Sequence, residues 1–216
     1  KAIAVRIRGE LEQAQKRVAL ITPDRELAVR VAAQLRRWDI NVDDSAGIPL
    51  LQTPNGSLAV ALVDAISSRF SGTSLLAVAK HPLVFAGAER LDWLDRVRLL
   101  DLELRGTANG VGLSAITRRL DNGRKVKPEL VEWWHGFVQI LAPLENVDGQ
   151  PFSFIIDALR DVATNLTDGA VWRGASGREL GRMWEEVSGG DLSTLGRIDA
   201  TGLAATFNEI FSCAVV

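Results

Sequence analysis

The 216-residue sequence contains few of the side chains that usually carry chemistry, with one cysteine, two histidines and no tyrosine. A lone cysteine, Cys213, excludes an intrachain disulfide and any metal site that needs several cysteine ligands. His81 and His135 are far apart in the sequence, and neither belongs to an HExxH pattern. Because a protein metal site usually needs three or four ligands, we interpret both histidines as structural and predict no metal.

The sequence also lacks the motifs of nucleotide binding and covalent catalysis. It has no G-x-x-x-x-G-K-[ST] stretch, and the glycine-bearing loop 109–112 follows a charged helical pattern rather than a buried strand. Ser45 and Ser176 lack the G-x-S-x-G surroundings of a hydrolase nucleophile. The neighbouring Asp43 and Asp44 are expected to point apart and to act as turn residues. We therefore predict no catalytic residue in this chain.

Neither a large net charge nor a long apolar run marks the chain. The formal net charge is −2, which excludes a global basic footprint for nucleic acid but leaves local patches open. No apolar run reaches the length of a membrane span, and no signal segment opens the chain. The 47% hydrophobic and 24% charged contents are ordinary for a folded domain, so we expect a cytoplasmic globular protein without membrane contact.

Residues 18–50 have the pattern of a small α/β unit. The apolar run 18–21 predicts a strand buried on both faces, and Thr22 followed by Pro23 predicts a helix start. Apolar residues at helical spacing then form one stripe: Leu27, Val31, Leu35 and Trp38. Residues 40–42 predict a second, shorter strand. Since one or two strands cannot satisfy their own edges, we expect this unit to be a piece of something larger.

Helical periodicity predicts most of the remaining chain as helices. An amphipathic helix is expected to lead the chain, and Thr53 with Pro54 predicts another helix start. Thr73 or Ser74 is expected to cap a short helix that ends near Lys80. Further helices are predicted over residues 91–104, 113–120, 128–141, 152–166, 177–187 and 201–211, with Ser176 as the cap of the fifth of these.

Two motifs in residues 18–50 resemble one known family. The strand exit LITPDR (residues 20–25) and the run W-x-I-x-V-D-D-S-A-G-x-P-L (residues 38–50) are similar to the AddB-type subunit of bacterial AddAB helicase–nucleases, in its alphaproteobacterial form. The rest of the chain matches more loosely, through KHPL (residues 80–83) and the tryptophan pair 133–134. The resemblance implies an α-rich α/β fold, with an incomplete RecA-like corner of one or two strands and a helical insertion domain.

The same resemblance implies a domain organisation. Residues 1–50 would form the partial RecA-like helicase segment, 51–200 the helical insertion, and 201–216 a return helix with the start of the next strand. The chain begins at Lys1 without methionine and stops on the apolar run 213–216. We expect it to be an internal fragment of the second helicase-like half of such a subunit.

The family's cofactors are expected to lie outside this fragment. A relative of this type uses ATP with Mg²⁺ and a nuclease domain that holds a 4Fe–4S cluster, which a chain with one cysteine cannot bind. In related helicases, an arginine on the helix after the first strand of the second motor domain reaches the nucleotide γ-phosphate. Arg25 and Arg30 occupy that neighbourhood here. The local sequence departs from the helicase pattern, however, and anchoring or solvation also explains these charges.

The densest basic cluster of the sequence is a candidate DNA contact. It consists of Arg118, Arg119, Arg124, Lys125 and Lys127, and Trp133 and Trp134 follow shortly after it. The cations would contact phosphate, and an exposed tryptophan would stack on an unpaired base. The alternative is a solvated turn followed by a helix with a core tryptophan. Adjacent residues of a helix diverge by about 100°, so one tryptophan of the pair is expected nearer the surface.

These observations lead to one functional prediction and two alternatives. We predict a non-catalytic structural or DNA-channel segment of a helicase–nuclease subunit in DNA double-strand break repair and recombination, with DNA and an AddA-type helicase subunit as partners. One alternative is a self-contained helical adaptor that binds proteins. The other is a small nucleotide-dependent enzyme with an unrecognised site.

Overall fold

The computed structural model describes residues 1–13, 15–45, 47–105, 112–190, 197–212 and 214–216, and its regular structure there is helical. The α-helices in these ranges are α1 (Ala2–Leu11), α2 (Arg25–Arg36), α3 (Pro54–Ser67), α4 (Gly72–Lys80), α5 (Arg90–Leu104), α6 (Leu113–Asn122), α7 (Pro128–Leu141), α8 (Phe152–Thr167), α9 (Gly174–Gly189) and α10 (Ala200–Phe211). Short 3₁₀ turns span Leu50–Gln52, Ala142–Leu144 and Ala170–Trp172. The described residues contain no β-strand, and extended pairing among them is confined to isolated bridges.

The two predicted strands, and with them the incomplete RecA-like corner, are wrong. Residues 18–21 and 40–42 have no regular secondary structure, and the side chain of Ile21 is 94% exposed. A strand exists only when a neighbouring strand accepts and donates its ladder hydrogen bonds, and no such neighbour occurs in the described parts of the chain. The short apolar runs are therefore irregular loops, and the fold class of the described residues is all-helical.

The chain divides into two compact units, Lys1–Gly47 and Ile48–Val216. In the first unit, α1 packs on α2 through a small core of Ala4, Val31 and Leu35. Leu27 and Trp38 pack against this core half-buried, so the predicted apolar stripe of α2 is confirmed. The division into segments 1–50, 51–200 and 201–216 stays a prediction.

The start of α2 differs from the sequence prediction by two residues. Asp24 is the N-cap, and its carboxylate accepts a hydrogen bond of 3.0 Å from the Leu27 backbone N–H. Thr22 instead accepts from the Asp24 backbone N–H at 3.1 Å, and Pro23 lies outside the helix. Asp is as good an N-cap as Thr, so both residues could supply the oxygen and the local geometry selects Asp24.

The second unit is organised around α3. This helix buries residues on every side, including Leu58, Ala59, Leu62, Val63 and Ile66, as expected for a helix surrounded by other helices. Helices α4, α8, α9 and α10 all pack against it. The largest fully buried side chains of the unit are Trp134, Trp184, Phe137, Phe152, Phe207 and Phe211.

The predicted helix boundaries of this unit are largely confirmed. Helix α3 begins as expected, with Thr53 as N-cap accepting from the Gly56 N–H at 3.1 Å and Pro54 in the first turn. Helix α7 coincides with the predicted range 128–141. Ser71 rather than Thr73 or Ser74 caps α4, because its hydroxyl accepts from the Ser74 N–H.

A buried amide joins two helix starts that are distant in sequence. Each start is preceded by a 3₁₀ turn, Leu50–Gln52 before α3 and Ala170–Trp172 before α9. The side chain of Asn55 donates from Nδ2 to the Val171 carbonyl at 2.6 Å and accepts at Oδ1 from the Ser176 hydroxyl at 2.6 Å. Helix α9 begins at Gly174, so Ser176 lies within the helix and is not the cap that the sequence predicted.

Candidate functional site

The predicted DNA-contacting cations lie at the junction of α6 and α7. Arg118, Arg124, Lys125 and Lys127 are exposed, and we refer to these four residues as the basic turn. Within the described chain, none of them has a carboxylate oxygen within 4.0 Å. Four unpaired cations on one helix end and the following turn can contact an anion without first breaking an ion pair.

Arg119 has a different environment from the four residues of the basic turn. It is half-buried, and its guanidinium donates a hydrogen bond to the Glu103 carbonyl in the last turn of α5. A cation at a helix C-terminus satisfies a free carbonyl and interacts favourably with the helix dipole. Arg119 therefore links α6 to the end of α5, and we interpret it as a structural residue.

The two adjacent tryptophans of α7 point to different neighbours. Trp134 is 0% exposed, and its Nε1–H donates to the Thr117 hydroxyl of α6 at 2.9 Å. Trp133 is half-buried on the side of α5, with its ring centroid 4.9 Å from that of Trp93. Its Nε1–H is buried and has no hydrogen-bond partner among the described residues. Trp134 therefore has no surface on which a base can stack.

A groove of about 600 Å³, which no pattern in the sequence predicted, lies between α5 and α7. Its aromatic side chains are Phe85, Trp93, Trp133 and Phe137. Its charged side chains are Glu89, Asp92, Arg96, Glu129 and Glu132. The residues from α7 follow the i, i+3, i+4, i+7 spacing of one helix face, which was visible in the sequence, but the opposite wall comes from another helix.

The aromatic side of the groove is built from closely packed rings. Phe85 stacks on Trp93 with ring centroids 4.1 Å apart, and Phe137 meets Trp93 edge-on at 5.3 Å. Phe85 adopts a left-handed backbone conformation with φ +45°, which is uncommon for a bulky side chain. Its backbone N–H donates to the Leu166 carbonyl at 2.9 Å, which holds the ring in this place.

The arginines suggested as nucleotide contacts lie in the first unit. Arg25 places Nη1 2.7 Å from both carboxylate oxygens of Asp44, and Nη2 donates to the Gly47 carbonyl at 2.7 Å. This arrangement anchors Asp44 and Gly47 to the start of α2, as the anchoring alternative expected. Arg30 is exposed on the same helix. Asp44 is held in this ion pair, and Asp43 is exposed.

The two histidines occupy separate places. His81 is half-buried at the end of α4, where Nδ1 accepts from the Leu83 N–H at 3.3 Å and Nε2 lies 3.1 Å from the Ser57 hydroxyl. His135 places Nε2 3.0 Å from Asp121 on the surface. No group of three or more potential metal ligands occurs among the described residues, whereas Cys213 and loop residues 109–111 lie outside them.

We expect His81 to make folding stability depend on pH. Burial, followed by the charge of Arg90, lowers the pKa of His81 below its ordinary value of 6.5. The unfolded chain then binds the proton at a higher pH than the folded chain, so the stability present above pH 6.5 is lost as the pH falls through and below that value.

The measurement is urea unfolding from neutral pH to below pH 6.5, in a chain that carries His135→Gln. This background leaves His81 as the single histidine of the sequence. His81→Gln is expected to reduce the loss of stability on acidification from neutral pH. Equal losses with and without His81 would contradict the prediction.

Comparison with protein-family models, with curated proteins and with solved structures finds no match for this chain. The resemblance to the AddB-type subunit therefore depends on the residues quoted for it. No helix in the described residues is long and apolar enough to cross a membrane.

Proposed function

We propose that this chain is a non-catalytic, DNA-contacting helical segment of an AddB-type helicase–nuclease subunit that acts with an AddA-type partner in double-strand break repair. The observation that carries the proposal is the basic turn, where four exposed cations have no carboxylate partner in the described chain. The resemblance of residues 20–25 and 38–50 supplies the biological setting. This function requires no nucleotide, metal or catalytic residue of the chain.

The proposed contact is with the phosphate backbone. Unpaired Lys and Arg side chains bind phosphate through charge and release counterions from the nucleic acid. Such contacts carry no sequence information, so single-stranded and forked DNA of any sequence should bind alike. Because Trp134 is buried against α6, base stacking by that ring contributes nothing to the interaction.

We expect the purified chain to bind fluorescein-labelled single-stranded and forked DNA weakly, with strong dependence on salt. If all four cations contact phosphate, the log–log slope of affinity against salt should be about −3 with single strands. The combined variant Arg124→Glu/Lys125→Glu/Lys127→Glu should abolish most of the binding and flatten the slope to about −0.7, the value for the one remaining cation. Fluorescence anisotropy over about 50–200 mM salt measures both quantities.

The matched control reverses three other exposed arginines of the same unit, as Arg98→Glu/Arg173→Glu/Arg178→Glu. It changes the net charge of the chain by the same amount, so it separates position from overall charge. We expect it to retain most of the affinity and all of the salt slope. If both triple variants lose the same amount of DNA affinity, the effect is due to net charge and not to the basic turn. If the variant of Arg124, Lys125 and Lys127 binds DNA as tightly as the parent, the basic turn is only solvated and the proposed DNA contact is wrong.

A further inference from the structure

The groove between α5 and α7 is negatively charged at the surface. Glu89, Asp92, Glu129 and Glu132 are all exposed there. Across the described chain, none of the four carboxylates has a cationic nitrogen within 4.0 Å. The groove therefore presents several free carboxylates beside its aromatic rings.

The positive groups of the groove do not balance these carboxylates. Arg96 is the cation among the lining residues, and its Nη1 donates to the Asp92 backbone carbonyl at 3.3 Å. The N-termini of α5 and α7 each add about half of a positive charge. Against four carboxylates, an excess of about two negative charges remains. This potential repels nucleic-acid phosphate and attracts a cation.

The aromatic rings select the kind of cation that fits. A guanidinium or ammonium group near the face of Trp, Tyr or Phe is attracted by the ring quadrupole, and guanidinium also stacks on the ring plane. Trp133 is the half-buried tryptophan of the groove, whereas Trp93 is 8% exposed and has Phe85 stacked on its ring. Glu129 and Glu132 lie within one or two helical turns of Trp133 along α7. A planar, weakly hydrated cation is therefore a better match than a strongly hydrated metal ion.

From this combination, we infer that the groove between α5 and α7 is a docking site for an arginine-bearing segment of a partner protein. The arginine side chain would lie against Trp133, and Glu129 and Glu132 would pair with its guanidinium or with a neighbouring basic residue. A volume of about 600 Å³ accommodates one such side chain together with flanking apolar residues. This protein-binding site is separate from the basic turn and does not depend on the proposed DNA contact.

The probe is a short peptide with capped ends that contains the sequence Arg-Leu-Arg, compared with versions in which Gln, Lys or Glu replaces both arginines. We follow the indole N–H signals of Trp93 and Trp133 by NMR during titration of the full chain. We expect saturable shifts of these signals with the arginine peptide, and binding at least about tenfold weaker with the Gln version. Lysine should be intermediate, because ammonium does not stack, and the Glu version should not bind.

Two variants test the groove without removing buried side chains. The isosteric double variant Glu129→Gln/Glu132→Gln should weaken the arginine peptide by about tenfold. Gly136→Leu should block binding, because a Cβ at Gly136 has no heavy atom within 4 Å and a larger side chain there extends into the groove. Leucine also favours the helix, so α7 is expected to stay folded.

The control Glu145→Gln/Glu209→Gln removes two exposed carboxylates elsewhere in the same unit, and it should leave peptide binding unchanged. The inference is overturned if no saturable shift occurs up to roughly 1 mM arginine peptide. It is also overturned if the Gln peptide binds equally well, or if the two groove variants bind like the control. DNA binding by the basic turn is measured independently, so either proposal can fail while the other stands.

Discussion

Replacement of Gly56 by alanine is expected to destabilise the Ile48–Val216 unit by about 3 kcal/mol, at the upper end of what overpacking normally costs. A Cβ at this position would lie 2.1 Å from the Leu50 carbonyl oxygen and 2.8 Å from the Leu51 Cα. Both are backbone atoms of a 3₁₀ turn, so no side-chain rotation relieves the clash. Urea unfolding of the purified variant measures the loss from the shift in midpoint at constant slope.

Two further glycine variants bracket this result. A Cβ at Gly177 would lie 2.4 Å from the Trp172 carbonyl carbon, so Gly177→Ala should cost a similar amount. Gly136→Ala is the opposite control, because nothing lies within 4 Å of its Cβ and the position is inside α7. It should stabilise the unit by about 0.5–1 kcal/mol. A Gly56→Ala variant as stable as the parent would show that the 3₁₀ turn does not approach α3 so closely.

The second large effect is expected at Trp134. Trp134→Ala should cost about 3–5 kcal/mol, because it opens a cavity in a fully buried site and leaves the Thr117 hydroxyl without its indole partner. Trp134→Phe preserves most of the buried volume and should cost less. Since single domains are stable by about 5–15 kcal/mol, the alanine variant is expected to be close to unfolding at elevated temperature.

Trp133→Ala provides the comparison, because the two residues are adjacent and chemically identical. Trp133 is half-buried and lines the open groove, so we expect about half the loss of stability found at Trp134. Thermal and urea unfolding of both variants under one condition give the difference. Equal losses would contradict the placement of Trp134 in the core and Trp133 at the groove.

Helices were the part of the fold that local sequence could predict. Helix α7 spans the predicted residues for two local reasons. Pro128 occupies the first helical position, where a backbone N–H would have no partner within the helix, and the apolar residues that follow recur at helical spacing. Helix α3 likewise starts at the predicted cap, Thr53. A helix satisfies its own backbone hydrogen bonds, so the information that defines it lies within the segment itself.

The prediction of two strands was wrong because a strand, unlike a helix, does not satisfy its own backbone hydrogen bonds. Residues 18–21 and 40–42 have the length and apolar character of strands, but a strand takes its hydrogen bonds from another segment. The same apolar run is therefore compatible with a buried strand or with an exposed irregular loop. Ile21, almost fully exposed, shows which of these the first unit adopts.

The candidate sites also differ in whether local sequence or distant contacts define them. The cations of the basic turn could be identified from sequence, because their density within ten residues is a local property and exposure is the usual state of Lys and Arg. Arg119 could not be separated from them, since its partner is the Glu103 carbonyl at the end of α5. The aromatic groove could not be predicted either, because Trp93 and Trp133 are forty residues apart in the sequence.

The sequence by itself determined the helical segments, most of their boundaries, the local concentration of positive charge and the divergence of Trp133 from Trp134. Each of these features depends on the 3.6-residue period of a helix or on side chains that are neighbours in the sequence, and a short segment contains all of that information. Only the tertiary structure decided that Trp134 is core, that Arg25 is held by Asp44, and that α5 and α7 enclose an acidic aromatic groove. These depend on which distant segments meet, and that is set by the packing of the whole unit rather than by any local pattern.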